Sequence, residues 1–282
     1  MRRERLSVVA SVGFAAFLLV STPALAQLLG TASNFAVLGA TPNVTNTGPS
    51  VITGNVGVWP ALSITGFPPG SIVPGTGFLH LGDTIAQQAQ SDTTTAYNTL
   101  AGLVSTPILP ALGGQTLIPG VYSAGAADLT GTLTLNGPGL YVIQTTALTT
   151  ASGPGASSVS LTNGATACDL WWQVGSSATI GTFSAVQGNI LALTSITMGT
   201  SATLQGRALA RNGTVTLDTN TITACSGGAA SPPGFLVSAP VPIRPPGTGN
   251  SAQIPTLSQW VMIALTLLLV LAGFAAIRRR NT

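Results

Sequence analysis

From Leu129 to Cys225 the chain repeats three kinds of short strand-like piece in a fixed order, roughly every twenty residues. The first kind reads TLTLNG (132–137), SVSLTN (158–163), FSAVQG (183–188) and SATLQG (201–206). The second reads LYVIQ (140–144), DLWWQV (169–174), NILAL (189–193) and RALAR (207–211). The third reads ALTT (147–150), ATIGT (178–182), SITMG (195–199) and TVTLD (214–218). Pieces this short, punctuated by Gly and Asn, bury their apolar positions by stacking turn upon turn. Three pieces per turn predict a parallel β-solenoid, a mainly β fold.

The three kinds differ in what they face. The first and third alternate apolar residues with Thr, Ser or Asn, so one side is core and the other is wet. The second is apolar on both sides, at Tyr141–Val142–Ile143 and Leu170–Trp171–Trp172, and must be covered. One segment has the spacing to cover it. Leu81, Ile85, Ala89, Thr93, Ala96, Tyr97, Leu100 and Ala101 recur at three and four, predicting a helix over 83–103. Asp83 or Thr84 caps it, with Gln87 completing a Thr-x-x-Gln box, and Gly102 and Pro107 stop it.

Threonine makes up 34 of the 199 residues 27–225. It suits the outer side of any strand. In stacked parallel strands, however, neighbours lie ~4.7–4.9 Å apart across a face and alternate residues ~6.6–6.8 Å apart along it. An uncharged array of methyls and hydroxyls on those repeats can order water in a plane. On the third kind of strand the outward candidates are Thr149, Thr179, Thr197, Thr214 and Thr216, over inward Leu148, Ile180, Ile196, Met198, Val215 and Leu217. The first kind offers an alternative face, Thr132, Thr134, Ser160, Thr162 and Thr203, interrupted by Phe183 and Ala185.

Charge narrows the function further. The formal net charge of +3 comes from nine arginines and six acidic residues, with no lysine. Arg2, Arg3, Arg5 and Arg278–Arg280 lie at the ends and Arg244 in a Pro-rich stretch, so residues 27–225 hold only Arg207 and Arg211 against Asp83, Asp92, Asp128, Asp169 and Asp218. Nucleic-acid binding, which needs clustered Lys or Arg, is not expected. With His80 the single histidine, no metal site, cofactor or enzyme activity is expected. Arg207, Arg211 and Asp218 could form a salt-bridged patch near the last coil.

Both ends read as address signals. A basic start, an apolar run and Ala24–Leu25–Ala26 predict a signal peptide over 1–26. Residues 226–253, dense in Pro, Gly and Ser, read as an extended tether between the folded unit, 27–225, and a terminal segment, 254–282. That segment holds an uncharged run at 260–277 followed by three arginines, the pattern of a membrane span. Export places Cys168 and Cys225 in an oxidising compartment, where a pair is expected to form a disulfide.

Two resemblances follow from particular residues. Ile254, Pro255, Thr256 and Leu257, with Ser258–Gln259–Trp260, the span and the arginines, resemble the IPTL-type C-terminal sorting domain of exported Gram-negative proteins. Gln259 and Val261 stand where that pattern has Glu and Gly. The resemblance implies processing by a sorting protease or exosortase-like machinery, with at least transient membrane contact. The second rests on LGTASNFAVL (29–38), VTNTG (44–48), ITGNVGV (52–58), WQVGSSAT (172–179), GNI (188–190), TSIT (194–197), GRALA (206–210) and VTLDTNTI (215–222). These resemble the microbial ice-binding β-solenoid family. That resemblance implies a right-handed, triangular, discontinuous solenoid with one long helix alongside, a flat face for ice, and pairing of Cys168 with Cys225. The expectation is an exported, monomeric ice-binding protein at or outside a Gram-negative envelope. The alternative is a cell-surface adhesive or structural solenoid without ice activity.

Overall fold

The computed structural model describes residues 26–225. The expected leader up to residue 25, the linker, the sorting motif and the apolar span lie outside them. Strand pairing is parallel throughout and sorts the described strands onto three faces.

The seven-stranded face runs, in spatial order, Ala126–Leu129, Ala147–Thr150, Ala178–Ile180, Ile196–Met198, Val215–Leu217, Val44–Asn46 and Ile64–Thr65. The other two faces share one sheet, because Ala185–Ala192 and Thr203–Ala210 each bend across a corner at Gly188 and Gly206. Beyond the bend lies the helix face, which includes Tyr141–Thr145, Leu170–Val174, Phe35–Gly39 and Asn55–Val58. Before it lies a third face, with Gly131–Asn136, Ser157–Thr162, Thr221–Thr223 and Val51–Thr53. Inward residues of all three meet in one core, among them Trp172 and Ile190, Ile196 and Met198, and Val186 and Leu204.

The order of coils in space is not their order in sequence. Val37 and Leu38 pair with Ala208 and Leu209, Thr45 with Thr216, and Val51 to Thr53 with Thr221 to Thr223. The N-terminal coils thus extend the stack beyond the last C-terminal coil. The long helix, Thr84–Ala101, carries the chain between them and the coils that begin at Thr106.

That helix covers the outer side of the helix face, as the doubly apolar strands require. Ala89, Ala96, Tyr97 and Leu100 pack with Val142, Trp171, Leu191 and Leu209 in a second apolar cluster. Each large side chain so buried contributes roughly 1.5–3 kcal/mol. Asp83 is the cap, its carboxylate accepting the Ala86 N–H at 2.8 Å, and Thr84 lies inside the helix. The Thr84–Gln87 capping box is therefore not used. Leu81 and Ile85, expected on the apolar stripe, are exposed, and Ala86 takes the buried place at that end. Polar anchors fix the two ends of the helix. Gln90 Nε2 donates to Ala210 O and Arg211 O at 2.8 and 2.6 Å, and Gln144 Nε2 donates to Leu100 O and Leu103 O at 2.8 and 2.9 Å.

The corner glycines are required for space as well as conformation. A Cβ at Gly206 (φ +153°) would lie 1.9 Å from the Gly188 carbonyl oxygen in the neighbouring coil. Gly114 (φ +81°) has no atom within 4 Å of the same position. Gly114→Ala is expected to cost about 1–2 kcal/mol, the price of a left-handed residue. Gly206→Ala should cost roughly 3 kcal/mol or more, because two backbones must separate. Chemical unfolding of both variants tests the difference.

Candidate functional site

On the seven-stranded face each short strand places one residue at the centre of its outer side, and parallel register brings these into a single file. Asp128 pairs with Thr149, Thr149 with Thr179, Thr179 with Thr197, Thr197 with Thr216, Thr216 with Thr45, and Thr45 with Thr65. Six threonines thus follow one another without a break, roughly 4.8 Å apart. Beneath them Leu148, Ile180, Ile196, Met198, Val215 and Leu217 are buried, so the expected inward set is the observed one.

The file's chemistry is nearly free of internal use. Among the described residues, Thr179, Thr197, Thr216 and Thr65 donate to no protein acceptor, and Thr149 reaches the Ala127 carbonyl only at 3.4 Å. Thr45 donates to Asn43 Oδ1 at 3.1 Å. Two residues before Thr179, Thr197, Thr216, Thr45 and Thr65 stand Ser177, Ser195, Thr214, Asn43 and Ser63, a second polar row about 6.7 Å from the first, with Ala147 in that place before Thr149. Thr214 belongs to this flanking row and not to the central file. It is half-buried, and its hydroxyl donates to the Asn43 carbonyl at 2.7 Å. The first coil crosses into the stack here, and its Asn43 takes up that hydroxyl. Thr45 and Thr65 were missed by sequence reasoning, because the coils that carry them lie far from their spatial neighbours in the chain. The VTNTG segment was a visible signal for Thr45.

The third face is less regular. Thr132, Ser158, Ala185, Thr203, Thr221, Val51 and Ser71 form one file through their pairings. Thr132 and Thr203 are exposed, while Thr134, Ser160 and Thr162 are half-buried. Thr162 donates to the Leu135 carbonyl at 2.9 Å, and the Thr132 and Ser158 hydroxyls bond to each other at 2.9 Å. Ladder pairing of Ser157–Thr162 with the next strand is limited to Ser158 and Ala185, and Gln187 Nε2 bridges the same two strands by donating to the Val159 carbonyl at 3.1 Å. The two strands part there, leaving a depression of about 350 Å³ lined by Val159, Ala185, Gln187 and Gln205 among others. Phe183 does not interrupt the face, since it sits at the preceding corner with φ +59°.

The fold has solved counterparts, and the chain has named relatives. Residues 38–223 match the ice-binding-like family. An ice-binding protein of Nostoc sp. (strain HG1) is 51% identical over 231 residues, 79% of this chain and 83% of that one. The chain belongs to the ice-binding-like family. An ice-binding protein of Flavobacterium frigoris (strain PS1) is 32% identical over 211 residues, 69% and 75% of the two chains. The crystal structure of an ice binding protein from an Antarctic biological consortium aligns with a TM-score of 0.65 at 45% identity, covering 70% of this chain and 90% of that one. That of the ascomycete Antarctomyces psychrotrophicus also gives 0.65, at 42% identity, covering 70% and 98%. Residues 252–281 match the IPTL-CTERM motif, which contains Ile254, Pro255, Thr256 and Leu257.

The charged residues of this ice-binding-like domain do not form the expected patch. Arg211 lies over the Tyr97 ring at 5.5 Å, and Asp218 lies in the strand-end turn of the seven-stranded face. Arg207 is buried at the corner between the third face and the helix face. There it donates to the Ser33 carbonyl from Nε and Nη2, to Asn189 Oδ1, and to the Cys225 carbonyl at 2.7 Å. Burial pulls its guanidinium below the usual value. Cys168 and Cys225 meet beside it as thiols. The hydrogen bond from Cys225 holds Cys168 below the ordinary thiol range and pushes Cys225 above it. His80 is buried, its Nδ1 2.7 Å from Asp83 Oδ2, and serves the helix cap.

Asp218 accepts Thr200 Oγ1 at 2.6 Å and Thr219 Oγ1 at 3.0 Å, and these bonds hold its carboxyl below the ordinary 3.8. A carboxylate with a depressed native pKa stabilises the fold above its unfolded value and loses that contribution as pH falls through the native one. The stability gap between the wild type and Asp218→Asn should therefore be constant above about pH 5 and close progressively in more acidic solution. Thermal melts across that range check it.

Proposed function

We propose that this chain binds ice through its seven-stranded face. The unbroken central file of Thr149, Thr179, Thr197, Thr216, Thr45 and Thr65 supports this reading most directly. Its methyl groups add modest apolar burial, and its uncommitted hydroxyls anchor first-layer water on the two spacings of a parallel sheet. Asp128, at one end, is the one charged member, so the file does not organise strong ion hydration over its length. The Nostoc and Flavobacterium relatives are ice-binding proteins, and the IPTL-CTERM motif fits a protein exported and sorted at a Gram-negative envelope. Ice outside the cell is then the ligand. Adsorption restrains crystal growth and recrystallisation with no turnover and no cofactor.

Thr197→Tyr and Thr216→Tyr place a ring above the plane of the file. Each is expected to reduce ice shaping and recrystallisation inhibition by about tenfold, equivalent to roughly 1.4 kcal/mol of adsorption energy. Thr203→Tyr, on the third face, should leave both unchanged. Observation of single ice crystals with each variant decides between the faces, and equal losses from all three would reject the assignment.

The adjacent thiols support a further element of this reading, closure of a Cys168–Cys225 disulfide on export. Cys168, the more accessible of the two thiols, attacks the disulfide of an exported thiol oxidant and releases one of its thiols, and Cys225 then displaces the other. The exported protein should be lighter than the reduced chain by two hydrogen atoms in an intact-mass measurement, and should take up no alkylating reagent until reduced.

A further inference from the structure

We infer that the solenoid is held from the corner opposite its seven-stranded face, and so works as an ice adhesin that fixes the surface bearing it to ice. This rests on the proposed ice-binding face and adds the direction in which that face is presented.

The observation is where the two ends of the folded unit lie. Thr221–Thr223 runs on the third face, paired with Thr203 to Gln205 on one side and Val51 to Thr53 on the other. Ala224 then donates its N–H to the Thr53 carbonyl at 3.0 Å, and Cys225 reaches the corner with the helix face. The chain cannot continue onto the helix face there, because Phe35–Gly39 already occupies the next place, paired with Ala208 and Leu209. The described part of the solenoid therefore ends at this corner.

The incoming chain is held at the same point. Nη2 of the buried Arg207 donates to the Ser33 carbonyl and to the Cys225 carbonyl, both at 2.7 Å, and Nη1 donates to Asn189 Oδ1 at 2.9 Å. One guanidinium thus ties the entry of the first coil, the exit of the last and the neighbouring coil. Hydrogen bonds to a charged group are among the stronger ones. In a three-faced solenoid the corner between the third and helix faces adjoins both of them and not the seven-stranded face. Residues 226–251 lead from Cys225 to the IPTL-CTERM motif at 252–281. A pull from that motif therefore enters at the clasped corner and leaves the threonine file clear.

Adhesion of beads to ice tests the inference, because many tethered copies act together only when their geometry lets them engage at once. The full chain, purified in detergent, is coupled to beads either through its C-terminal residue or through a biotin-acceptor segment inserted between Pro154 and Gly155. Those two residues are exposed in the turn between Ala147–Thr150 and Ser157–Thr162, at the edge of the seven-stranded face. Both proteins are first assayed free in solution, where equal ice shaping is expected. Beads coupled through the C-terminus should adhere to a growing ice front, and those coupled at 154/155 should adhere about tenfold less or not at all. Equal adhesion from the two attachments, or none from the C-terminal one while the free chain still shapes ice, overturns the inference alone. A free chain that leaves ice unshaped overturns the ice-binding reading and the inference together.

Discussion

Pairing of the first coil with the last is the constraint on which the rest of the structure depends. Val37 on Ala208, Thr45 on Thr216 and Ile52 on Ile222 join segments separated by about 170 residues of sequence on all three faces. Closing so long a loop carries an entropic cost that the local strand pairs do not offset on their own. The helix lowers it by lying across coils from both parts of the chain, with Leu38 and Leu209 buried together beneath it beside Val142 and Trp171. Arg207 reinforces the same junction from the opposite side of the helix face's first residues. Continuity of the threonine file is a by-product, since its last two members, Thr45 and Thr65, arrive only through this closure.

Scarcity of charge has two physical consequences here. Within the solenoid few ions need burying, and the buried Arg207 serves as a local fastener by binding three carbonyl or amide oxygens. Asp83 caps the helix from an exposed position. Burial pushes the Asp83 carboxyl up, but the Ala86 amide and His80 outweigh it and hold it below the ordinary carboxylate value. On the outer faces the same scarcity leaves hydroxyls and methyls as the groups that meet water. Where strand pairing stays in register, as on the seven-stranded face, those groups form a regular array. Where it narrows to one residue pair, between Ser157–Thr162 and Ala185–Ala192, a depression lined by Val159, Ala185, Gln187 and Gln205 among others interrupts the surface.

Much of this was legible in the chain. Period-two alternation separated the core side of the strands from the wet side, because a strand side chain has only two directions to take. It placed Leu148, Ile196 and Val215 inward and Thr149, Thr179, Thr197 and Thr216 outward. Doubly apolar strands such as Leu170–Val174 demanded a cover, and the helical spacing after Asp83 named it. Residues at corners were harder. Phe183 reads as part of a strand and sits in a left-handed turn, and Thr214 reads as exposed but gives its hydroxyl to Asn43, a neighbour in space and not in sequence. Arg207 and Asp218 look like partners by charge, yet register places one on the helix face and the other in a turn at the end of the seven-stranded one.

The sequence by itself determined the class of fold, the helix, the inward and outward sets of each C-terminal coil and the near absence of charge, since all of these follow from local periodicity and composition. Only the tertiary structure decided the order in which coils stack. That order follows from which strand edges are free to pair once the helix has carried the chain along the solenoid, and no local pattern encodes it. It decided in turn that Thr45 and Thr65 join the central file in place of Thr214, that the file's face is the regular one, and that both ends of the folded unit meet at a single guanidinium on the far corner.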